Sequence, residues 1–261
     1  MNLLKAPLGK RRQLFEIQDF PWCPKGVRDG VTDLLNLNLK LVPLYDPAIN
    51  FLIEMMKKSG PTWIDLCAGA GGGSLPLHEK LEQVTVKKIN LTLTDLYPHG
   101  LEKDLPRVSY YPGPVDARDV PSNIKGMRTL FTSFHHLSDD VARDVLRNAF
   151  SSNTAIGAFE FTERNFFCLL MTFPTIVFSF FLVPFIFPWK LSRFFWTYFI
   201  PLIPIVATVD VILSCFRTRT PKELEALVAS LKKKDYVWKI GKVPSAMGFS
   251  MTYIVGLPVS D

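Results

Sequence analysis

The sequence predicts an α/β fold in which helices cover both faces of a seven-stranded, mostly parallel sheet with one terminal antiparallel strand. Three observations support this prediction. Short apolar runs alternate with helical stripes along most of the chain. A glycine cluster joins the first apolar run directly to a helix. The last two strand-like runs follow each other with no helix between them, which indicates an antiparallel pair.

The composition is that of a folded chain with one large domain and an insertion. Of the 261 residues, 48% are hydrophobic and 21% are charged, which excludes general disorder. The net charge of +6 favours anionic surfaces, without choosing between membrane, nucleic acid and anionic small molecules. The four cysteines are scattered, which argues against a metal site and fits a reducing compartment.

The strands are read from short apolar runs bounded by turn residues. Residues 1–45, rich in Pro, Asn and Leu, are predicted to be irregular and to act as a cap or lid. The predicted strands cover residues 63–67, 89–94, 108–111, 129–133, 155–161, 236–240 and 249–255.

The helices are marked by their ends. Asp46 and Pro47 open a helix that Gly60 ends, because aspartate is a good N-cap and proline suits the first helical position. Ser138 caps a later helix whose first turn is acidic. Residues 220–223 read Thr-Pro-Lys-Glu, which is a capping box with proline at the first helical position.

The glycine cluster after the first strand predicts a ligand-binding loop. Gly69 and Gly71 let the backbone approach a ligand closely, and the helix that follows presents its N-terminus. The loop departs from a dinucleotide fingerprint because Ser74 stands at the third glycine. Asp65 lies in the strand before the loop, and Asp95 follows the second strand, where a carboxylate can accept ribose hydroxyls. The alternative is a tight turn without a ligand.

The stretch Asp65-Leu66-Cys67-Ala68-Gly69-Ala70-Gly71 resembles the D-L-G-x-G-x-G motif of class I S-adenosylmethionine-dependent methyltransferases, with Cys67 at the first glycine. The resemblance covers about residues 46–165 and resumes near 210. The chain also resembles an uncharacterised bacterial group with an apolar insertion after strand five. There a Ser-x-x-Arg-x-x-x-Pro-x-Glu-Leu stretch follows, here residues 214–224. The resemblance implies a Rossmann-like fold, S-adenosylmethionine as cofactor and methyl transfer, but no particular substrate.

The resemblance also implies roles for individual residues. Asp95 matches the acid that binds the ribose, and Asp116 with Ala117 matches the segment that meets the adenine amino group. Asp65 can hold the loop or accept a bond from an ammonium group, and Tyr45 can cover the cofactor. The full cofactor-binding set predicted is Asp65, Gly69, Gly71, Asp95, Leu96, Asp116, Ala117, Ser133 and Tyr45.

Two histidines after the fourth strand are the candidate general bases. His135 is preferred over His136, since histidine titrates near neutral pH and can take a proton from the acceptor. The alternative is that the histidine only braces the loop. The predicted lid over the substrate includes Trp22, Arg28 and Asp29. The alternative for the tryptophan is a place in the core.

A long apolar insertion follows the fifth strand. Residues 166–189 carry no charge and are numerous enough to cross a bilayer, and residues 194–209 form a second uncharged run. Lys190 and Arg193 lie between the two runs, and several prolines break helices there. A shallow re-entrant or in-plane helical pair is therefore predicted rather than two spans. The bases expected to face anionic lipid are Arg217, Arg219 and residues 232–234.

These readings predict a three-part chain: a cap at 1–45, a methyltransferase domain at 46–165 and 210–261, and a membrane-associating insertion at 166–209. The predicted function is methyl transfer to a hydrophobic small molecule or lipid at a membrane surface, with the catalytic domain in the cytoplasm. One alternative is a soluble enzyme whose insertion forms a closed pocket or dimer interface. Another is a cofactor-binding membrane scaffold without turnover. A nucleic-acid substrate is disfavoured, since no Asn-Pro-Pro-Tyr type motif follows strand four.

Overall fold

The structure is a computed structural model that describes residues 3–98, 104–232 and 234–259. The chain divides into two compact units. The sheet unit comprises Pro43–Phe161 and Thr220–Asp261, and the helical unit comprises Met1–Val42 and Thr162–Arg219. The N-terminal residues and the apolar insertion therefore belong to one unit. This unit extends past residue 209 because its last helix continues without a break to Arg217.

The sheet unit contains the seven strands in the order β3-β2-β1-β4-β5-β7-β6. β7 is antiparallel to both β5 and β6, and the remaining neighbours are parallel. The predicted fold class is confirmed. The strands are β1 (Thr62–Asp65), β2 (Asn90–Leu93), β3 (Val108–Tyr110), β4 (Met127–Phe131), β5 (Ile156–Glu160), β6 (Tyr236–Pro244) and β7 (Ser250–Pro258).

Four helices pack on the sheet: α2 (Ala48–Ser59), α3 (Ser74–Thr85), α4 (Asp139–Ser151) and α8 (Pro221–Val228). On one face, Ile64 of β1 joins Leu146 of α4 and Leu227 of α8 in a buried cluster. On the other face α2 approaches so closely that a Cβ on Gly157 would lie 3.1 Å from Met55 Sδ. Helices therefore cover both faces, as alternation of side chains along each strand requires.

Most of the predicted helix ends are confirmed. Ser138 Oγ accepts a hydrogen bond from the Val141 amide at 3.4 Å. Thr220 and Glu223 form the reciprocal capping box. The predicted N-cap role of Asp46 is wrong, because Pro47 is the N-cap of α2. The Asp46 carboxylate instead accepts a hydrogen bond from Lys80 Nζ at 2.6 Å.

The prediction that residues 1–45 are irregular is wrong, since Lys25–Leu41 form a 17-residue helix, α1. Its buried stripe of Val27, Val31 and Leu34 has helical spacing, but the helix also contains two glycines and two asparagines, which are poor helix formers. Packing compensates for that propensity. A Cβ on Gly30 would lie 2.2 Å from Ile203 Cδ1, so the glycine permits a close approach of two helices.

The rest of the helical unit consists of α5 (Phe166–Leu182), α6 (Leu191–Phe194), a π-helical turn (Phe195–Phe199) and α7 (Leu202–Arg217). α7 packs against both α5 and α1. The axis bends by 79° between the π-helical turn and α7. Within the described residues, one helix, Phe166–Phe185, has the length and composition to cross a membrane.

The connection between α5 and α7 is fastened to α1 by an ion pair. Asp33 of α1 binds the guanidinium of Arg193, whose side chain is 1% exposed, and also lies 3.3 Å from Lys190 Nζ. Arg193 donates further hydrogen bonds to the carbonyls of Ile186 and Pro188, at 2.9 and 3.2 Å. A buried guanidinium whose two terminal nitrogens are bound in this way makes the connection rigid.

We expect Asp33→Ala to lower the free energy of unfolding by roughly 3 kcal/mol, because it leaves a buried guanidinium without its carboxylate. Asp29→Ala is the matched control on the same helix. Asp29 pairs with Lys25, whose side chain is 84% exposed, and its loss should change stability by less than about 1 kcal/mol. Denaturant unfolding of both variants measures the difference. Equal effects would contradict the assigned role of Asp33.

Candidate active site

The loop after β1 is shaped by Gly69, Gly71 and Gly73. Gly69 and Gly71 have φ of +50° and +75°, which favours glycine. Gly73 has an ordinary φ, but a Cβ there would lie 2.4 Å from Phe131 Cβ. Gly73 therefore sets how closely α3 packs on β4. The sequence reading did not single out Gly73, although the uninterrupted glycine run was the signal for it.

Asp95 connects three loops at the carboxyl ends of the strands. Its Oδ2 accepts a hydrogen bond from the Gly69 amide at 3.0 Å, and its Oδ1 accepts one from the Tyr97 amide at 2.9 Å. The Val115 amide donates to its backbone carbonyl at 2.9 Å. The structure thus places the predicted ribose acid beside the predicted glycine loop. Leu96, also in the predicted set, is 46% exposed next to it.

Asp116 and Ala117 follow β3 at the same edge. Arg118 binds the Asp116 carboxylate with two nitrogens, Nη2 at 2.6 Å and Nε at 3.0 Å. The hydrogen bond from Arg118 lowers the pKa of Asp116. Ala117 is buried. An adenine amino group at this position would therefore share the carboxylate with Arg118.

Asp65 is a buried acid at the end of β1. Its Oδ1 accepts a hydrogen bond from Thr129 Oγ1 at 2.7 Å, and the threonine oxygen accepts one from Trp63 Nε1 at 2.7 Å. Burial raises the pKa of Asp65 to about 7, against the lowering effect of the Thr129 bond, and the charge of Asp95 adds to the rise. Near neutral pH this carboxyl is therefore partly protonated, and a neighbouring ammonium group would favour its ionised form.

His135 is held by Glu160 at the end of β5. The His135 amide donates to Glu160 Oε1 at 3.0 Å, and its ring Nδ1 lies 2.8 Å from Glu160 Oε2. Both side chains are buried, and the ring of His136 lies 4.3 Å from that of His135. With Nδ1–H donating to the carboxylate, Nε2 is the basic nitrogen. The same carboxylate also braces the loop through the backbone. The sequence reading missed Glu160, an acid that ends an otherwise apolar strand.

Tyr45 is a buried residue on which the charges of both Glu160 and Asp65 act. Its hydroxyl shares a short hydrogen bond with Thr132 Oγ1, and its ring meets Phe131 edge-on at 5.1 Å. Burial, together with the charges of Glu160 and Asp65, raises the pKa of Tyr45 well above its usual value. Ser133, another predicted residue, stands at the N-cap position of the short 3-10 turn that carries the histidines, without a side-chain capping bond.

The predicted lid residues lie in the helical unit. Trp22 is 68% exposed and stacks on Phe20, so the alternative that it fills the core is wrong. Arg28 donates to the carbonyls of Gln18 and Phe20, at 3.2 and 3.0 Å, and ties the N-terminal segment to α1. Asp29 forms a surface ion pair one helical turn from Lys25. None of these contacts assigns a ligand to the segment.

Comparison with known proteins supports the fold. No protein-family model matches the chain, and no curated protein matches it in sequence. The solved structure of the plantazolicin methyltransferase in complex with SAH matches with a TM-score of 0.51 and 11% identity, over 90% of this chain and 92% of that chain. The chain therefore has the Rossmann-like fold of class I S-adenosylmethionine-dependent methyltransferases.

Two other similar structures have lower scores. The human N-acetylserotonin methyltransferase in complex with SAM matches with a TM-score of 0.42 and 14% identity, over 89% of this chain and 52% of that chain. The chain spans about half the length of that enzyme. The magnesium protoporphyrin IX methyltransferase from Synechocystis PCC 6803 with bound SAH matches with a TM-score of 0.41 and 10% identity, over 90% and 88% of the two chains.

The buried state of Asp65 predicts a pH dependence of stability. The pKa of Asp65 is about 7 in the folded chain and near 3.8 in the unfolded chain, so the folded state holds the proton of this carboxyl more tightly. The free energy of unfolding should therefore fall as pH rises between those two values and level off above them. Asp65→Asn carries no such proton. Its stability relative to wild type should increase over this interval, by up to about 4 kcal/mol.

Urea unfolding between pH 4 and 8 measures this difference. Asp119→Asn is the control, because Asp119 is an exposed acid of the same unit. Parallel stability curves for wild type and Asp65→Asn would show that Asp65 is ionised throughout.

Proposed function

We propose that the chain is an S-adenosylmethionine-dependent methyltransferase that methylates a hydrophobic small molecule or lipid at a membrane surface, with its catalytic domain in the cytoplasm. One observation carries the proposal: the Gly69 amide binds the Asp95 carboxylate at the carboxyl edge of a sheet with this strand order. Ligands of open α/β sheets bind at that edge, where the strand order reverses on either side of β1.

The donors and acceptors at this edge suit the proposed cofactor. Each carboxylate oxygen of Asp95 accepts one backbone N–H and has a lone pair left for a ribose hydroxyl. A neighbouring ammonium group would stabilise the ionised form of Asp65, and the amino acid end of the cofactor carries such a group. The buried Ser74 occupies the third glycine position of a dinucleotide loop, which disfavours a nicotinamide cofactor. The SAH found in the plantazolicin enzyme agrees with this choice.

The proposed chemistry assigns proton removal to His135. When bound, the cofactor supplies an electrophilic methyl group. His135 Nε2 would accept the proton of an acceptor O–H or N–H as the new bond to the methyl carbon forms. Glu160 would hold the ring in the required tautomer and stabilise the imidazolium that results. The reaction then depends on alignment of the acceptor with the methyl group, which the buried loop provides.

The membrane part of the proposal rests on α5, whose amphipathicity is the reverse of that of a soluble helix. Its outward stripe consists of large apolar residues that are between 45% and 66% exposed, and its inward stripe consists of small or polar residues. The outward residues are Phe166, Leu170, Phe173, Val177 and Phe181, and the inward ones are Cys168, Thr172 and Ser179. A helix in water buries its apolar side. Small residues toward protein and large apolar ones outward are typical of lipid contact.

The segment between α5 and α7 repeats this reversed pattern. Leu191 is 90% exposed and Phe199 is 79% exposed, whereas Arg193 and Thr197 are buried. Trp189, 66% exposed, is of the type that lies at headgroup level. An exposed apolar surface of this extent is unusual for a soluble monomer. The outward direction of these side chains disfavours the alternative of a closed substrate pocket within the insertion.

We expect S-adenosylmethionine to bind in calorimetry and NAD not to bind. Asp95→Asn should weaken binding by about 1–3 kcal/mol, because a charged acceptor for two hydroxyls is lost. Asp119→Asn, an exposed acid of the same unit, is the control and should bind like wild type. Preferential binding of NAD, or equal affinity of both variants, would contradict the cofactor assignment.

We expect His135→Gln and Glu160→Gln to reduce turnover by about 10²–10⁴-fold while cofactor affinity changes little. Glu79→Gln alters an exposed acid and should be neutral. Normal turnover in His135→Gln would assign the histidine to bracing alone. Absence of turnover in wild type with every acceptor, despite cofactor binding, would favour a scaffold.

A further inference from the structure

The net charge of the chain lies entirely in one of its two units. The sheet unit contains 18 basic and 18 acidic residues, whereas the helical unit contains 12 basic and 6 acidic residues. The helical unit therefore accounts for the whole net charge of +6. This is also the unit that carries most of the exposed large apolar side chains among the described residues. Positive charge and exposed apolar surface occur together.

The charge available at the surface comes from lysines and from the N-terminal segment. Arg217 and Arg219 were expected to face lipid, and this is wrong, because they are 2% and 4% exposed. Arg217 is held within the unit by the carboxylate of Asp19 at 3.2 Å. Lys10 and Arg12 are exposed. The buried Arg217 and Arg219 therefore stabilise the interior of the unit, whereas Lys10 and Arg12 are in contact with solvent.

The N-terminal segment lies against the first turns of α5. The Leu8 amide donates to the Arg164 carbonyl at 2.7 Å, and Lys5 Nζ lies 5.2 Å from the centre of the Phe167 ring. The Arg12 amide donates to the Phe216 carbonyl at 3.1 Å. Leu3, 81% exposed, adds a further apolar side chain. The segment that carries Lys10 and Arg12 is therefore held beside the start of α5 and the end of α7.

We propose that this surface docks on an anionic lipid bilayer, with the α5 stripe in the acyl boundary and the N-terminal bases at the headgroups, on a single leaflet. That the protein contacts a membrane at all rests on the proposed function. The inference adds that the membrane is anionic and that the protein enters only one leaflet. Apolar burial with a basic edge is the combination that binds anionic membranes. A second copy of this chain would bring the same positive edge and is a poorer partner.

The single-leaflet geometry follows from the clamp on the α5–α7 connection. Asp33 of α1 holds Arg193 and Lys190. Carrying this connection across a bilayer would draw α1, with the exposed Lys25 and Lys40, into the hydrocarbon. The connection therefore stays on the side of α1.

Vesicle binding tests the charge. The full chain is titrated with phosphatidylcholine vesicles and with vesicles that also contain phosphatidylglycerol. Wild type should bind the anionic vesicles more tightly. Lys10→Gln/Arg12→Gln should weaken that binding by about 30-fold, since each base near a membrane contributes about fivefold, and should leave the neutral vesicles unaffected. Lys87→Gln/Lys88→Gln is the matched control, with the same charge change on exposed lysines of the sheet unit.

Three results would overturn the inference. Wild type could bind both kinds of vesicle equally tightly, the two double variants could lose the same binding affinity, or the chain could form a dimer that does not bind vesicles. Calorimetry with S-adenosylmethionine on the same preparations measures cofactor binding separately from vesicle binding. A failure of the proposed function can therefore be distinguished from a failure of the lipid-docking proposal. For the single leaflet, Ser192→Cys should react with an impermeant thiol reagent added outside the vesicles and not with the same reagent enclosed in them, as the exposed reference Ser109→Cys does. Reaction of Ser192→Cys only with the enclosed reagent would mean that the connection crosses.

Discussion

The carboxylate of Asp95 is the constraint on which the proposed site depends. It binds the amide of Gly69 and that of Tyr97, and its own carbonyl receives the amide of Val115. Three loops that come from different parts of the chain are thereby held at one edge of the sheet. The left-handed turn at Gly69 and Gly71 can then bring the backbone close to a ligand, since no Cβ intervenes.

The two units differ in their charge and in the side chains that they expose. The sheet unit is electrically neutral, and a buried apolar cluster lies between its helices and the sheet. The helical unit also has an apolar core, but its helix α5 puts Cys168, Thr172 and Ser179 inside and phenylalanines outside, and the unit holds all of the net charge. The proposed function assigns the chemistry to the sheet unit and the contact with lipid to the helical unit.

Local signals in the sequence were sufficient for the sheet, and long-range contacts account for what was missed. Strand runs, the glycine-rich turn between β1 and α3, and the cap at Ser138 depend on neighbouring residues, and their places in the fold are confirmed. α1 was missed because Gly30 lowers its helical propensity, and its packing on Ile203 involves a residue far away in sequence. The bond of Glu160 to His135, and that of Asp33 to Arg193, likewise join distant segments that no spacing rule connects.

The central claim is that a methyl group is transferred to a hydrophobic acceptor at a membrane. The most direct measurement incubates the full chain with methyl-labelled S-adenosylmethionine and membranes, separates the lipid extract from the aqueous phase, and identifies labelled products by mass. The account predicts label in the lipid extract, dependent on wild-type protein and absent with Asp95→Asn. Label confined to water-soluble products, or equal labelling by the variant, would contradict it.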